Sequence, residues 1–209
     1  MQPIARYFAH KLKREFTRVI PKLRAELAQV PFAQHGLDYG VGGETFRAFR
    51  NWEHRPSDLY RTWAASVCAQ LSPDILAEKL GSRRAFAQWH RSLVVDLQAH
   101  WFAHENHHLS FAHQYKLVDL FIKWMSRHDF GSPKIPVGFE AYAHCALDRQ
   151  TLGKLNECLS LALPMPNPSM GDILADTTYF FCQDLIREFT THCGGTPLLF
   201  DYFAWKRGG

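Results

Sequence analysis

The chain has little that would point to metal or redox chemistry through cysteine. Its five cysteines, Cys68, Cys145, Cys158, Cys182 and Cys193, form no C-x-x-C pair, which argues against zinc-ribbon, iron–sulfur and thioredoxin-like sites. With no secretory context they read as reduced, mostly buried thiols. No window supplies the roughly 18 uninterrupted apolar residues that a membrane span needs, and the N-terminus lacks the apolar core of a secretory signal. The expectation is a cytoplasmic protein with no membrane partner. Repeats and low-complexity tracts are absent, and no alternating pattern is strong enough for a sheet. Helices are what remain, so the expected class is all-α.

The length of 209 residues suits one filled core, or two small helical lobes sharing one. The formal charge of +4 is unevenly placed. Arg6, Lys11, Lys13, Arg14, Arg18, Lys22 and Arg24 stand against the single acid Glu15 before residue 25. Such a face either meets a phosphate backbone or is simply solvated. Its apolar stripe, built to pack, disfavours a transit peptide.

Ile4, Phe8, Leu12, Phe16, Val19, Leu23 and Leu27 follow helical spacing, which Pro21 either kinks or restarts. The glycine-rich segment from Pro31 to Gly43 reads as a loop, followed by short helices over Glu44–His54 and Ser57–Leu71. Phe86, Trp89, Leu93, Leu97 and Trp101 mark one side of a helix over Ser82–Phe102. The polar run from His104 to Ser110 is a connecting hairpin, and Leu117, Leu120, Phe121 and Trp124 lie on the stripe of the next helix, Ala112–Arg127. Gly131 to Cys145 reads as irregular. Asp148 opens a helix to about Leu161, which the Pro164, Pro166, Pro168 cluster ends. Ser169 and Asp172 have capping-box spacing at the head of a long helix to about His192. Gly194-Gly195 stops it, and Leu198–Trp205 makes a short last helix.

The centre of the chain thus orders a helix, a polar hairpin, a helix beginning near a lysine, a long connection, and an aspartate at a helix start. That order suits base excision. A hairpin offers backbone amides to phosphates without reading sequence. The target nucleotide must leave the duplex. A carboxylate then stabilises the cationic sugar, and an amine can hold the sugar carbon as a Schiff base.

The stretch Lys116-Leu117-Val118-Asp119-Leu120-Phe121-Ile122-Lys123, followed by Cys145-Ala146-Leu147-Asp148, resembles the helix-hairpin-helix DNA glycosylases. It is most similar to their archaeal 8-oxoguanine branch, whose catalytic lysine opens a K-x6-K helix and precedes a P-V-D-type motif. Asp201-Tyr202-Phe203-Ala204-Trp205 is similar to that branch's D-x3-W pair. The resemblance covers about residues 82–205. It implies two helical lobes, roughly 1–80 with 165–209 and 82–163, making one domain with a pocket between them. It implies Lys116 as the attacking amine, with Lys123 as the other candidate, and Asp148 as its activator or the stabiliser of the cationic state. Asp201 would bond the base and Trp205 would wall the pocket, with Leu120 and Leu147 beside them. Leu120 stands where the branch places a pocket aromatic, and Ala146-Leu147 replaces proline and valine. The missing ring leaves room for a bulkier base.

The implied activity is a DNA N-glycosylase, either monofunctional or bifunctional with AP lyase action. It would act as a monomer on double-stranded DNA, nucleoid-associated when bound, without a cofactor. Its substrate would be 8-oxoguanine-type damage or a hypermodified phage base such as glucosylated hydroxymethylcytosine, in anti-phage defence. The alternatives are a non-catalytic DNA-binding module of the same fold and a helical interaction protein.

Each residue also has a plainer reading. Lys116 could pair with Asp119 on the surface, Asp148 could only cap its helix, and Asp201 and Trp205 could only pack. His104, His107, His108 and His113 are read as phosphate contacts or solvated side chains rather than ligands, so no metal is expected. His107, His108, Ser110, His113 and Arg149 are the expected DNA contacts.

Overall fold

In the computed structural model, residues 4–32, 38–48, 52–161 and 167–205 are described. The chain is all-α: among the described residues, strand is limited to a parallel pairing of β1 (Val30–Pro31) with β2 (His128–Asp129). The long helices are α1 (His10–Arg24), α2 (Pro56–Gln70), α3 (Pro73–Lys79), α4 (Arg83–Glu105), α5 (Phe111–Met125), α6 (Lys134–Tyr142), α7 (Arg149–Cys158), α8 (Asp176–Thr191) and α9 (Pro197–Trp205). Among the described residues no helix is long and apolar enough to cross a membrane.

One hydrophobic core runs from Phe8 to Tyr202 through all of them. α9 lies at its centre, packed against α1, α6, α7 and α8. Its sequence explains the position: Leu198, Leu199 and Phe200 are consecutive apolar residues, all fully buried, so the helix cannot present a polar face early on. Phe16 of α1 meets Phe200 edge-on at 6.1 Å, and Arg24 ties α1 to Glu140 of α6 at 2.6 Å.

Several elements differ from expectation. Pro21 does not start a second helix: it lies inside α1, in its last turn, where it withholds one backbone donor. The connection after Gly131 is not irregular throughout, since α6 occupies its middle. Pro136 is the third residue of α6, a position whose amide has no partner within the helix, so proline does not disturb it. Ser169 and Asp172 do form a capping box, but around the 3-10 turn Met170–Asp172; α8 itself begins at Asp176. α7 stops at Cys158, and α3 is a further helix that Ser72 caps. The expected helix over Glu44–His54 is a 3-10 turn, Gly43–Ala48; residues 49–51, part of the early loop (33–37) and the prolines at 164 and 166 lie outside the described residues.

The polar hairpin is a tight joint between α4 and α5. Asn106 closes α4 in the left-handed conformation (φ 54°), and the Ser110 hydroxyl accepts the His113 amide at 3.4 Å to open α5. The glycine-rich loop has one demanding position. Gly40 adopts φ +83°, and a Cβ there would sit 2.6 Å from the Trp124 Cβ and 3.0 Å from the Leu120 carbonyl oxygen. Gly40→Ala is therefore expected to lower stability by about 2 kcal/mol, from overpacking and a disfavoured φ. The check is a lower urea midpoint at unchanged slope.

A candidate active site on the fifth helix

Lys116, Leu120, Lys123, Trp124 and Arg127 share one side of α5 and its end, as helical spacing requires. Opposite them stand Gly40, Gly42 and Thr45, and α9 adds Tyr202 and Trp205. Together they enclose a cleft of about 350 Å³, within the range of ~300–1,000 Å³ usual for small-molecule sites. Its described lining carries three cations and no carboxylate, with aromatic faces from Trp124, Tyr202 and Trp205. An anionic, flat-ringed ligand suits such walls.

Asp148 reaches this cleft from behind Lys116. The Lys116 Nζ lies 3.7 Å from Asp148 Oδ2, and the two side chains are 12% and 8% exposed. The carboxylate's direction is fixed by its own helix: Oδ1 accepts the amides of Gln150 (2.8 Å) and Thr151 (2.9 Å). Thr151 returns the bond, its hydroxyl accepting the Asp148 amide at 2.7 Å. One oxygen caps α7 and the other faces the lysine, so the capping and the chemical readings of Asp148 hold together.

The segment from Ala143 to Leu147 that delivers Asp148 is buried, extended backbone, and its polar groups need partners. Gln183 of α8 supplies two, its amide accepting the Cys145 amide at 3.1 Å and donating to the Cys145 carbonyl at 2.7 Å. Asp201 Oδ2 accepts the Ala146 amide at 2.7 Å, and the Thr151 hydroxyl donates to the Ala146 carbonyl at 2.9 Å.

Asp201 is accordingly not aimed at a ligand. Its second oxygen binds the Lys123 ammonium, and the residue is 1% exposed beneath the cleft wall. Burial acts to lower the Lys123 pKa, but the Asp201 carboxylate outweighs it and the net direction is upward. Lys123 is thereby held as an ammonium, over the Tyr202 ring at 4.6 Å, which leaves Lys116 as the better amine of the two. Lys123→Met would strand a buried carboxylate, and is expected to destabilise the fold by about 3 kcal/mol. Thermal melting of the variant beside Lys123→Arg, which keeps the charge, measures it.

The other expected site residues divide. Leu120 and Trp205 line the cleft, Trp205 well exposed at its rim, whereas Leu147 is buried away from it. His107, His108, Ser110 and Arg149 are exposed. His107 packs edge-on to Trp52 and His108 stacks on Phe102 at 4.6 Å. His113 is pushed down to about 4, by burial first and then by the Lys116 ammonium, so it is neutral near pH 7. The four histidines of this region form no metal-like group among the described residues.

Asp119 does not pair with Lys116. It points away from the cleft into the core, 1% exposed, where Oδ1 is 2.9 Å from His90 Nε2 and Oδ2 accepts the Tyr179 hydroxyl at 2.8 Å. His144 Nδ1 meets the same hydroxyl at 2.9 Å. Burial raises the Asp119 pKa, and burial with nearby cations lowers that of His144 well below the ordinary histidine value. No spacing in the sequence announces this cluster, because its members come from α4, α5, α8 and the 143–148 segment. Comparison with known proteins finds no match to the chain in any protein-family profile, curated protein or solved structure.

Proposed function

We propose that the chain is a DNA glycosylase that extrudes a modified or damaged base from double-stranded DNA and breaks its N-glycosidic bond. One observation carries the reading: an amine on the wall of a cationic, aromatic cleft lies 3.7 Å from a buried carboxylate that a separate element holds behind it. The extruded base enters between Trp124, Tyr202 and Trp205, the cleft between the two lobes expected from the sequence. As the base departs with the electron pair of the glycosidic bond, positive charge builds on the sugar, and the Asp148 carboxylate opposes it. Lys116, once it has given up a proton, attacks the sugar C1′; the new ammonium loses a proton, and the C1′–O4′ bond of the ring breaks, O4′ leaving as a hydroxyl with that proton, to give the protonated Schiff base from which a lyase step proceeds.

The strand is held by Arg127, Arg149 and the exposed turn His107–Ser110, with the basic face of α1 as a further phosphate contact. The protein acts as a monomer. Leu120 in place of a ring leaves the cleft open to bulky bases, so the substrate is 8-oxoguanine-type damage or a hypermodified phage base such as glucosylated hydroxymethylcytosine. The deciding experiment incubates the protein with a panel of such DNAs under borohydride and detects freed base by mass. A released base identifies the substrate. DNA binding with no release anywhere in the panel would leave a non-catalytic DNA-binding module instead.

A further inference from the structure

Beside the first cleft but sharing none of its lining, a second cleft of about 230 Å³ is lined by Arg83, His90, Arg91, Tyr115, His144 and Arg187, among others. Behind the two imidazoles lies the Asp119 carboxylate. One donor atom each from His90, Asp119 and His144 lies within 4.8 Å of the others. We propose that these three residues bind a divalent transition-metal ion, zinc being the probe of choice.

Three features support the assignment. Among the described residues no lysine or arginine bonds Asp119, and a carboxylate so deeply buried is ordinarily paired with a charge or bound to a metal. Two histidines with one carboxylate form a donor set suited to zinc, iron or copper, with a position left for water or an anion. Here the two imidazoles border a cleft with three arginines, of which Arg187 is paired with the one carboxylate of the described lining, Asp184; the two remaining cations, Arg83 and Arg91, suit an anionic further ligand. Finally, the outer partner of the site is already present. Tyr179 donates to Asp119 Oδ2 and can accept from His144 Nδ1, which fixes the tautomer and leaves His144 Nε2 with its lone pair. An ion between His90 Nε2 and Asp119 Oδ1 replaces the hydrogen now joining them, which passes to His90 Nδ1 and leaves Nε2 its lone pair. With bonds of ~2.0–2.2 Å, tetrahedral donor atoms lie about 3.4 Å apart, so the 2.9 Å His90–Asp119 pair would open slightly and any wider separation would close. The ion would clamp α4, α5 and the 143–148 segment, and so hold Lys116 against Asp148 from behind.

The test uses the whole chain, stripped with a chelator and dialysed against zinc alone. The expected result is one zinc per chain by elemental analysis, with a rise in melting temperature. His144→Ala and Asp119→Asn should each weaken binding by about 100-fold, at the upper end of what even outer partners of a metal site contribute. A variant replacing His104, His107 and His108 by alanine should bind as the parent does. If a cluster variant does not fold, imidazole nitrogen shifts of the parent decide, with His90 and His144 responding to zinc. Substoichiometric zinc, binding that survives His144→Ala, or unmoved His90 and His144 resonances each overturn the proposal.

Discussion

The Lys116→Gln protein should bind substrate DNA and release no base, a loss of at least about 10⁴-fold, comparable to removing the nucleophile of a well-studied hydrolase. Glutamine is close in length and keeps the apolar stem, so the wall of the cleft survives while the amine does not. The stability change should be small, because the glutamine amide can still donate to Asp148 Oδ2 and the carboxylate keeps its bonds from the Gln150 and Thr151 amides. Borohydride trapping separates the two candidate amines. Lys123 is bound to Asp201 and held protonated, so Lys123→Arg, which preserves that pairing, should still form the covalent adduct with DNA. Lys116→Gln should form none. An adduct that persists in Lys116→Gln and disappears in Lys123→Arg would transfer the role to Lys123 and undo the proposed geometry.

Much of this site was legible because local chemistry and global position agree there. Asp148 precedes Thr151 at capping spacing, so its place at a helix start follows from the need to satisfy free amides. Lys116, Leu120 and Lys123 recur at helical intervals, which puts them on one face whatever that face touches. The misreadings have equally definite causes. Asp201 was expected to face a ligand, yet a carboxylate on a helix as apolar as α9 had to find partners inside the core, and it found Lys123 and the Ala146 amide. Asp119 was paired by sequence distance with Lys116. Three residues along a helix turn about 300°, which leaves them about 60° apart, and here that offset separates a solvent-facing cleft from a buried network. Gln183 could not have been foreseen, since its partner is the backbone of a segment far away in sequence. α6 was hidden by prolines that look like breakers and are harmless in a first turn.

Asp148 permits a sharper division between folding and chemistry than most N-cap residues, because its two oxygens serve different partners. Oδ1 caps α7, and Oδ2 faces the Lys116 ammonium. In Asp148→Asn the amide oxygen can take over the cap, for which asparagine is as good as aspartate. The amide nitrogen then points toward Lys116, and the negative charge is gone. Base release should fall by about 10³-fold, the order found when a group stabilising transition-state charge is removed, while the melting temperature stays within a few degrees of the parent. Affinity for substrate DNA should hold or rise, since one negative charge beside the phosphate-binding face has been deleted. Asp148→Ala should lose activity to a similar extent and in addition about 1 kcal/mol of stability, the usual contribution of a cap. The contrast isolates the carboxylate's charge from its structural duty. If Asp148→Asn excises at the parent rate while Asp148→Ala does not, the residue matters only as a cap, and the charge developing on the sugar must be opposed by some other group.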